Sequence, residues 1–208
     1  MKKIISILLT LTMVLCITAS IPLSASAATT DNVESGLTYT DKYGVWTYEL
    51  TEDGNGYKIT DHDRSVTEIK IPSEIDGIPV TEIGEGAFYR DALISVTIPE
   101  SIATIGYAAF STCSSLTSVT ILDGVTTIGE WAFNACSSLT SIILPDSVTS
   151  MGDYAFFSCS SLTSVTIPDD ITTINCSAFS HCISLTSVTN LDGVTTIGKE
   201  AFEMLLCK

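Results

Sequence analysis

Four cysteines, Cys113, Cys136, Cys159 and Cys182, recur at 23-residue intervals. Thiols at a fixed interval raise three chemistries: a metal centre, a disulfide and a nucleophile. If the interval is one structural unit, the four form a single column. A column rising about 4.8 Å per unit puts its outer members roughly 14 Å apart, whereas a tetrahedral thiolate site needs every sulfur about 2.3 Å from the metal. Neighbouring thiols lie within disulfide reach, but parallel side chains in a tight core give poor dihedral angles, so buried free thiols are expected and a bridge is the alternative. Cys176 and Cys207 fall outside the column and are candidates for exposed thiols. Nucleophilic catalysis would have to use one of two histidines, His62 or His181. His181 precedes Cys182, and adjacent side chains point apart in most backbone conformations. No nucleophile elbow, zinc-protease helix, phosphate loop or dinucleotide glycine pattern occurs, so catalytic and cofactor-binding residues are both expected to be absent.

A second recurring chemistry is acidic. Glu100, Asp123, Asp146, Asp169 and Asp192 occupy one place in successive units. Carboxylates stacked about 5 Å apart repel unless each accepts backbone N–H bonds in its own turn or a cation sits between them. The turn is the expected reading. Calcium along Asp123, Asp146, Asp169 and Asp192 is the alternative.

The whole chain of 208 residues carries 24 acidic against 9 basic side chains, with 45% hydrophobic residues and a pI near 4.2. That hydrophobic content excludes a disordered acidic tail, and the scarcity of cations excludes a phosphate-binding face for nucleic acid. The first residues read as an export signal. Lys2 and Lys3 precede an apolar run from Ile4 to Ile17, and Ala25-Ser26-Ala27 supplies the small residues of a cleavage site after Ala27. The run is short for a membrane span of about 20 residues. Leu15 before Cys16 stands where a lipidation signal wants a small residue. Removing residues 1–27 takes two lysines and no acid, which moves the formal charge from −15 to −17.

The elements that position these residues come from a repeat. The pattern Ile-Gly-x-x-Ala-Phe begins at Ile83, Ile105, Ile128, Met151, Ile174 and Ile197, at steps of 22 and then 23 residues. In one unit, Leu116-x-x-Val119-x-Ile121 alternates as a short strand with Ser118 and Thr120 on the wet face. Such a strand is stable only when paired to its copy in the next unit, so the units stack into a parallel ladder. The rest of the unit, Val125 through Cys136, contains a helix-compatible Glu-Trp-Ala-Phe-Asn stretch and reads as a turn plus one short helical or 3₁₀ segment. Phe88, Phe110, Phe133, Phe156, Phe179 and Phe202 then form a stacked aromatic spine. A longer loop at residues 73–80 accounts for the 27-residue step from Ile71 to Ile98.

The unit "SLTSVTIPxxVTTIGxxAFxxC", over about residues 66–202, resembles the BspA-like leucine-rich repeats of bacterial cell-surface and secreted proteins. The resemblance implies an α/β solenoid with a parallel β ladder on one face, a place outside the cell, and a role in adhesion or protein binding without catalytic residues. The organisation expected is a signal peptide at 1–27, an N-terminal β-hairpin cap at 28–65, and the solenoid at 66–208, with about five full repeats and a partial last one. The hairpin comprises Gly44–Leu50 and Tyr57 to Thr60 around Glu52-Asp-Gly-Asn-Gly56.

For a binding surface, the strand face offers mostly small hydroxyls, interrupted by Ile143. The turn side carries Tyr107, Trp131, Tyr154 and Phe157, which read either as a partial lid over the core or as a contact patch. The expected partner is an extracellular protein or a cell-surface glycan. Self-assembly through the C-terminal edge at residues 204–208 is the second reading, and a secreted hydrolase the third.

Overall fold

The computed structural model describes residues 36–203. The expected export segment, residues 28–35 and the C-terminal residues 204–208 lie outside them. Three antiparallel strands come first: β1 (Leu37–Asp41), β2 (Gly44–Leu50) and β3 (Tyr57–His62). β1 and β2 pair from Leu37↔Tyr48 to Asp41↔Gly44, and β2 and β3 from Trp46↔His62 to Leu50↔Tyr57, which is the hairpin the alternation in the sequence predicts. Trp46 and Ile59 lie fully buried and Tyr48 nearly so, and all three join the core of the repeats.

Six coils follow, each named by its buried or half-buried phenylalanine from Phe88 to Phe202. The first contains β4 (Glu68–Lys70), β5 (Glu74–Ile75) and β6 (Ile78–Ile83), and the second β7 (Ser95–Ile98) and β8 (Thr104–Ile105). The third holds β9 (Ser118–Ile121) and β10 (Thr127–Ile128), and the fourth β11 (Ser141–Ile143) and β12 (Ser150–Met151). The fifth holds β13 (Ser164–Thr166) and β14 (Thr173–Ile174), and the sixth β15 (Ser187–Thr189) and β16 (Thr196–Ile197). The expected Val-Thr ladder is present as β4-β7-β9 and β11-β13-β15, in parallel register with equivalent positions paired, Ser on Ser and Val on Val in β7–β9 and β13–β15. A second parallel ladder, β6-β8-β10-β12 and then β14-β16, runs through the Thr-Ile dipeptides. β3 pairs in parallel with β6, so the antiparallel strands continue this second ladder and cover its first edge. The longer loop of the first coil is a tight hairpin, β5 against β6, turned by Asp76 and Gly77 at φ 51° and 78°.

The third side corrects the sequence reading. Where a short helical or 3₁₀ segment is expected, the described residues contain turns and no helix. Alternate amides of this side leave the coil altogether: the N–H groups of Trp131, Phe133 and Ala135 donate to the carbonyls of Asp153, Ala155 and Phe157 in the next coil, at 2.7 to 3.0 Å. The intervening amides of Ala132, Asn134 and Cys136 close tight turns onto Gly129, Trp131 and Phe133. A helix closes its backbone hydrogen bonds on its own carbonyls and is about 10 Å across, whereas stacked strands advance only about 4.8 Å per coil. Coil spacing therefore overrides the local helix preference. The same alternation puts two turn-side residues of each of the first five coils in the left-handed region, such as Trp131 (φ 60°) with Ala135 (φ 54°) and Tyr154 (φ 57°) with Ser158 (φ 57°).

Coil contact also explains side chains that alternation leaves unassigned. Thr117, Thr163 and Thr186 hydroxyls donate to the carbonyls of Ile94, Thr140 and Thr163, and Thr126, Thr149 and Thr195 do the same along the second ladder, each reaching one coil back. Gly129 marks a close backbone approach, since a Cβ there would lie 2.7 Å from the Gly106 carbonyl carbon of the preceding coil.

Inside the coils the phenylalanine rings form the expected spine. Consecutive centroids from Phe88 to Phe202 are 4.8 to 5.6 Å apart, with planes within 6° of parallel. Trp46 meets Phe88 edge-on at 6.3 Å and 78°, which ends the column. Each enclosed ring removes its apolar area from water, worth about 1.5 to 3 kcal/mol. Replacing Phe133, fully buried between two rings, by alanine should cost about 3 to 5 kcal/mol in urea-induced unfolding. Thr120→Ala, on the exposed face of β9, should cost well under about 1 kcal/mol. Equal losses would contradict the assignment of inner and outer faces.

Candidate functional site

The turn side sets equivalent side chains in columns. Two residues before each spine phenylalanine stand Gly86, Ala108, Trp131, Tyr154, Ser177 and Glu200, and one residue after it stand Tyr89, Ser111, Asn134, Phe157, Ser180 and Glu203. Where both columns turn aromatic, a cluster forms. Trp131 and Tyr154 stack face to face at 4.1 Å and 4°, and Phe157 meets each at 5.8 Å. His181 packs on Phe157 at 4.9 Å, with its Nδ1 2.8 Å from the Ser180 hydroxyl. The indole N–H of Trp131 donates to Glu130 Oε1 at 2.9 Å, which fixes the ring plane.

Three of the four residues expected in the patch thus meet. Tyr107 stands apart, in the column of Glu130 and Asp153, and faces a groove of about 730 Å³ on the N-terminal side of Trp131. That groove also brings in Tyr89, Glu85, Ser111 and Asn134, which the sequence reading leaves out. The signal for it lies in the small residues: Gly86 and Ala108 hold the column positions that Trp131 and Tyr154 fill further on.

On the strand face, Ile143 is 79% exposed among hydroxyl side chains. The acidic column, Glu100, Asp123, Asp146, Asp169 and Asp192, lies exposed, and Asp169 accepts a hydrogen bond from Asn190 Nδ2 at 2.6 Å. Among the described residues, no three His, Cys, Asp or Glu side chains converge where a metal ion would sit.

With this geometry in place, similarity to known proteins decides the family. The BspA type leucine rich repeat region matches residues 81–207 in 6 copies. The chain belongs to the BspA-type leucine-rich repeat family. No curated protein matches it. Among solved structures it is similar to a leucine rich cell surface protein of Faecalibacterium prausnitzii, with 38% identity and a TM-score of 0.72 over 82% of this chain and 47% of that one. A T. pallidum leucine rich repeat protein shares 30% identity at a TM-score of 0.63, over 77% of this chain and 85% of that one. A leucine-rich repeat protein of Eubacterium ventriosum shares 25% identity at a TM-score of 0.63, over 80% and 49%. The chain spans about half the length of the Faecalibacterium and Eubacterium proteins.

In this BspA-type chain the cysteine column is a set of donors. Cys113, Cys136, Cys159 and Cys182 are fully buried, and their thiols reach back to the carbonyls of Phe88, Phe110, Phe133 and Phe156 at 3.0 to 3.2 Å. Each of those carbonyls already accepts a turn amide of its own coil, so the thiol engages its second lone pair. Burial pushes Cys113 and Cys182 up to about 12 and raises Cys136 and Cys159 as well, which keeps all four protonated at neutral pH. The Cys182 thiol points inward while the His181 ring lies on Phe157, so the two do not form a nucleophile and base.

Coil one has no earlier repeat coil to donate to, and Asp91 replaces cysteine there. Its carboxylate is 3% exposed and faces the antiparallel strands: His62 Nδ1 lies 3.9 Å and Arg64 Nε 3.8 Å from Oδ2. His62 is wedged between Trp46 and Phe88, with Nε2 2.8 Å from the Tyr43 carbonyl and 3.7 Å from Asp63. Burial disfavours the charged ring, yet Asp91, the Tyr43 carbonyl and Asp63 outweigh it and raise the His62 pKa. The stabilisation from a raised pKa is fully present below the unfolded value of about 6.5 and fades as pH rises through the folded one. His62→Gln should therefore lower the melting temperature more at pH 5.5 than at pH 8.5. An equal loss at both, or a larger one at pH 8.5, would contradict a raised His62 pKa at this junction.

Proposed function

We infer that this protein is an extracellular, non-catalytic interaction module of a bacterium, which adheres to a macromolecular partner through its turn side. The reading includes export by residues 1–27 and display at the cell surface or release from it. The observation that carries it is the cluster of Trp131, Tyr154 and Phe157, a fixed aromatic surface on a rigid stack of coils. Aromatic side chains dominate the energetics of protein interfaces, and stacking holds these in place before a partner arrives. Family membership supports an interaction role, and the Faecalibacterium relative is a leucine rich cell surface protein. The inward, protonated thiols offer no activated nucleophile for a hydrolase.

The strand face is the competing surface. Surface plasmon resonance of the exported chain on immobilised extracellular-matrix proteins separates the two. The double variant Trp131→Ala, Tyr154→Ala should weaken binding tenfold or more with little loss of folding, and Ser118→Ala, Ser141→Ala should leave it unchanged. The opposite pattern would move the contact to the strands.

A further inference from the structure

The groove beside Trp131 has features that a lid over the core does not require. Stacking on Tyr154 at 4.1 Å occupies one face of the indole, and the other face looks across Ala108 and Gly86. Coils one and two lack the outward side chain that would cover it. Tyr89 and Tyr107, 42% and 48% exposed, flank the opening. The resulting space of about 730 Å³ is within the range that small ligands occupy.

Polar groups converge on the same space. Ser111 is 4% exposed yet lines the groove, and it accepts a hydrogen bond from Asn134 Nδ2 at 3.0 Å. That bond orients the Asn134 amide and leaves its carbonyl oxygen as an acceptor. Glu85 adds a carboxylate at the rim, and Glu130 holds the Trp131 ring from behind. A bare aromatic face ringed by neutral and anionic hydrogen-bonding groups suits a ligand that has an apolar C–H face and many hydroxyls. It repels anions, as does the whole chain with its formal charge of −15.

We propose that this groove binds a neutral oligosaccharide, with one pyranose ring stacked on the free face of Trp131 and its hydroxyls bonded to Asn134, Ser111 and Glu85. The proposal rests on the turn side being the contact surface, and it assigns that surface a ligand class and a subsite on the N-terminal side of the Trp131–Tyr154–Phe157 cluster, with Trp131 shared between them.

The chain has two tryptophans, and Trp46 is fully buried, so a change in emission on adding sugar reports Trp131. The test titrates the full chain with neutral trisaccharides of glucose, mannose, galactose and N-acetylglucosamine, and with sialyllactose and trigalacturonate as anionic counterparts. The decisive variant is Ala108→Tyr. Ala108 has φ 49°, close to the 57° of Tyr154 in the same column, so a tyrosine there extends the stack onto the free face of Trp131 without a new backbone conformation. At least one neutral trisaccharide should shift the emission of the unaltered chain, and Ala108→Tyr should weaken that binding tenfold or more at an unchanged melting temperature. Binding that survives in Ala108→Tyr, preference for the anionic sugars, or no response to any neutral sugar would overturn the proposal. Matrix-protein binding that is lost in Trp131→Ala, Tyr154→Ala while no sugar binds would leave the adhesion reading standing and remove the saccharide alone.

Discussion

The hydrogen bond from one coil to the next governs this protein. A short strand such as Thr127–Ile128 buries too little to persist alone, and it exists because its copies at Thr104–Ile105 and Ser150–Met151 pair on either side. The demand extends round the coil. The strand sides donate both ways, as Gly129 N–H does back to Ile105 O and Ile167 N–H does forward to Thr189 O, while the turn side donates forwards, as Phe133 N–H does to Ala155 O. Threonine hydroxyls and cysteine thiols add further backward bonds at the edges and in the core. With the turn side bound at every described step and the strand sides at most of them, spacing is fixed near the strand repeat, and no helix fits between coils.

That spacing gives the surface its use. Side chains at one position of successive coils face the same way about 5 Å apart, so a change of residue along a column changes the surface in discrete steps. The column through Gly86, Ala108, Trp131 and Tyr154 passes from no side chain to a stacked aromatic pair, and the step between Ala108 and Trp131 is the wall of the groove. Because the backbone is held from both sides, neither the aromatic pair nor the groove has to be ordered when a partner arrives.

Much of this is legible from the residues themselves. The interval of the Ala-Phe pair gives the spine and the thiol column, and alternation gives the Val-Thr ladder and the hairpin from Gly44 to Leu50 and onward. The helical expectation fails because Glu130 to Asn134 prefers a helix locally while the neighbouring coil claims its amides, a contest that one unit viewed alone does not reveal. The second ladder is hidden because a two-residue strand is too short to show a period. Asp91 is overlooked because a carboxylate in a thiol column makes sense only once His62 and Arg64 are seen to face it. Tyr89 is missed because its partners across the groove lie one and two coils away.

The forward bonds of the turn side hold the columns in place, and amide hydrogen exchange followed by NMR measures them directly. The N–H groups of Trp131, Phe133 and Ala135, which donate to the next coil, should exchange as slowly as those of Leu122 and Gly129, which donate from the strand ladders to Ile98 and Ile105 of the preceding coil. Fast exchange at these three residues, with the strands still protected, would mean that the turn side is not a ladder and that its columns are not held in place.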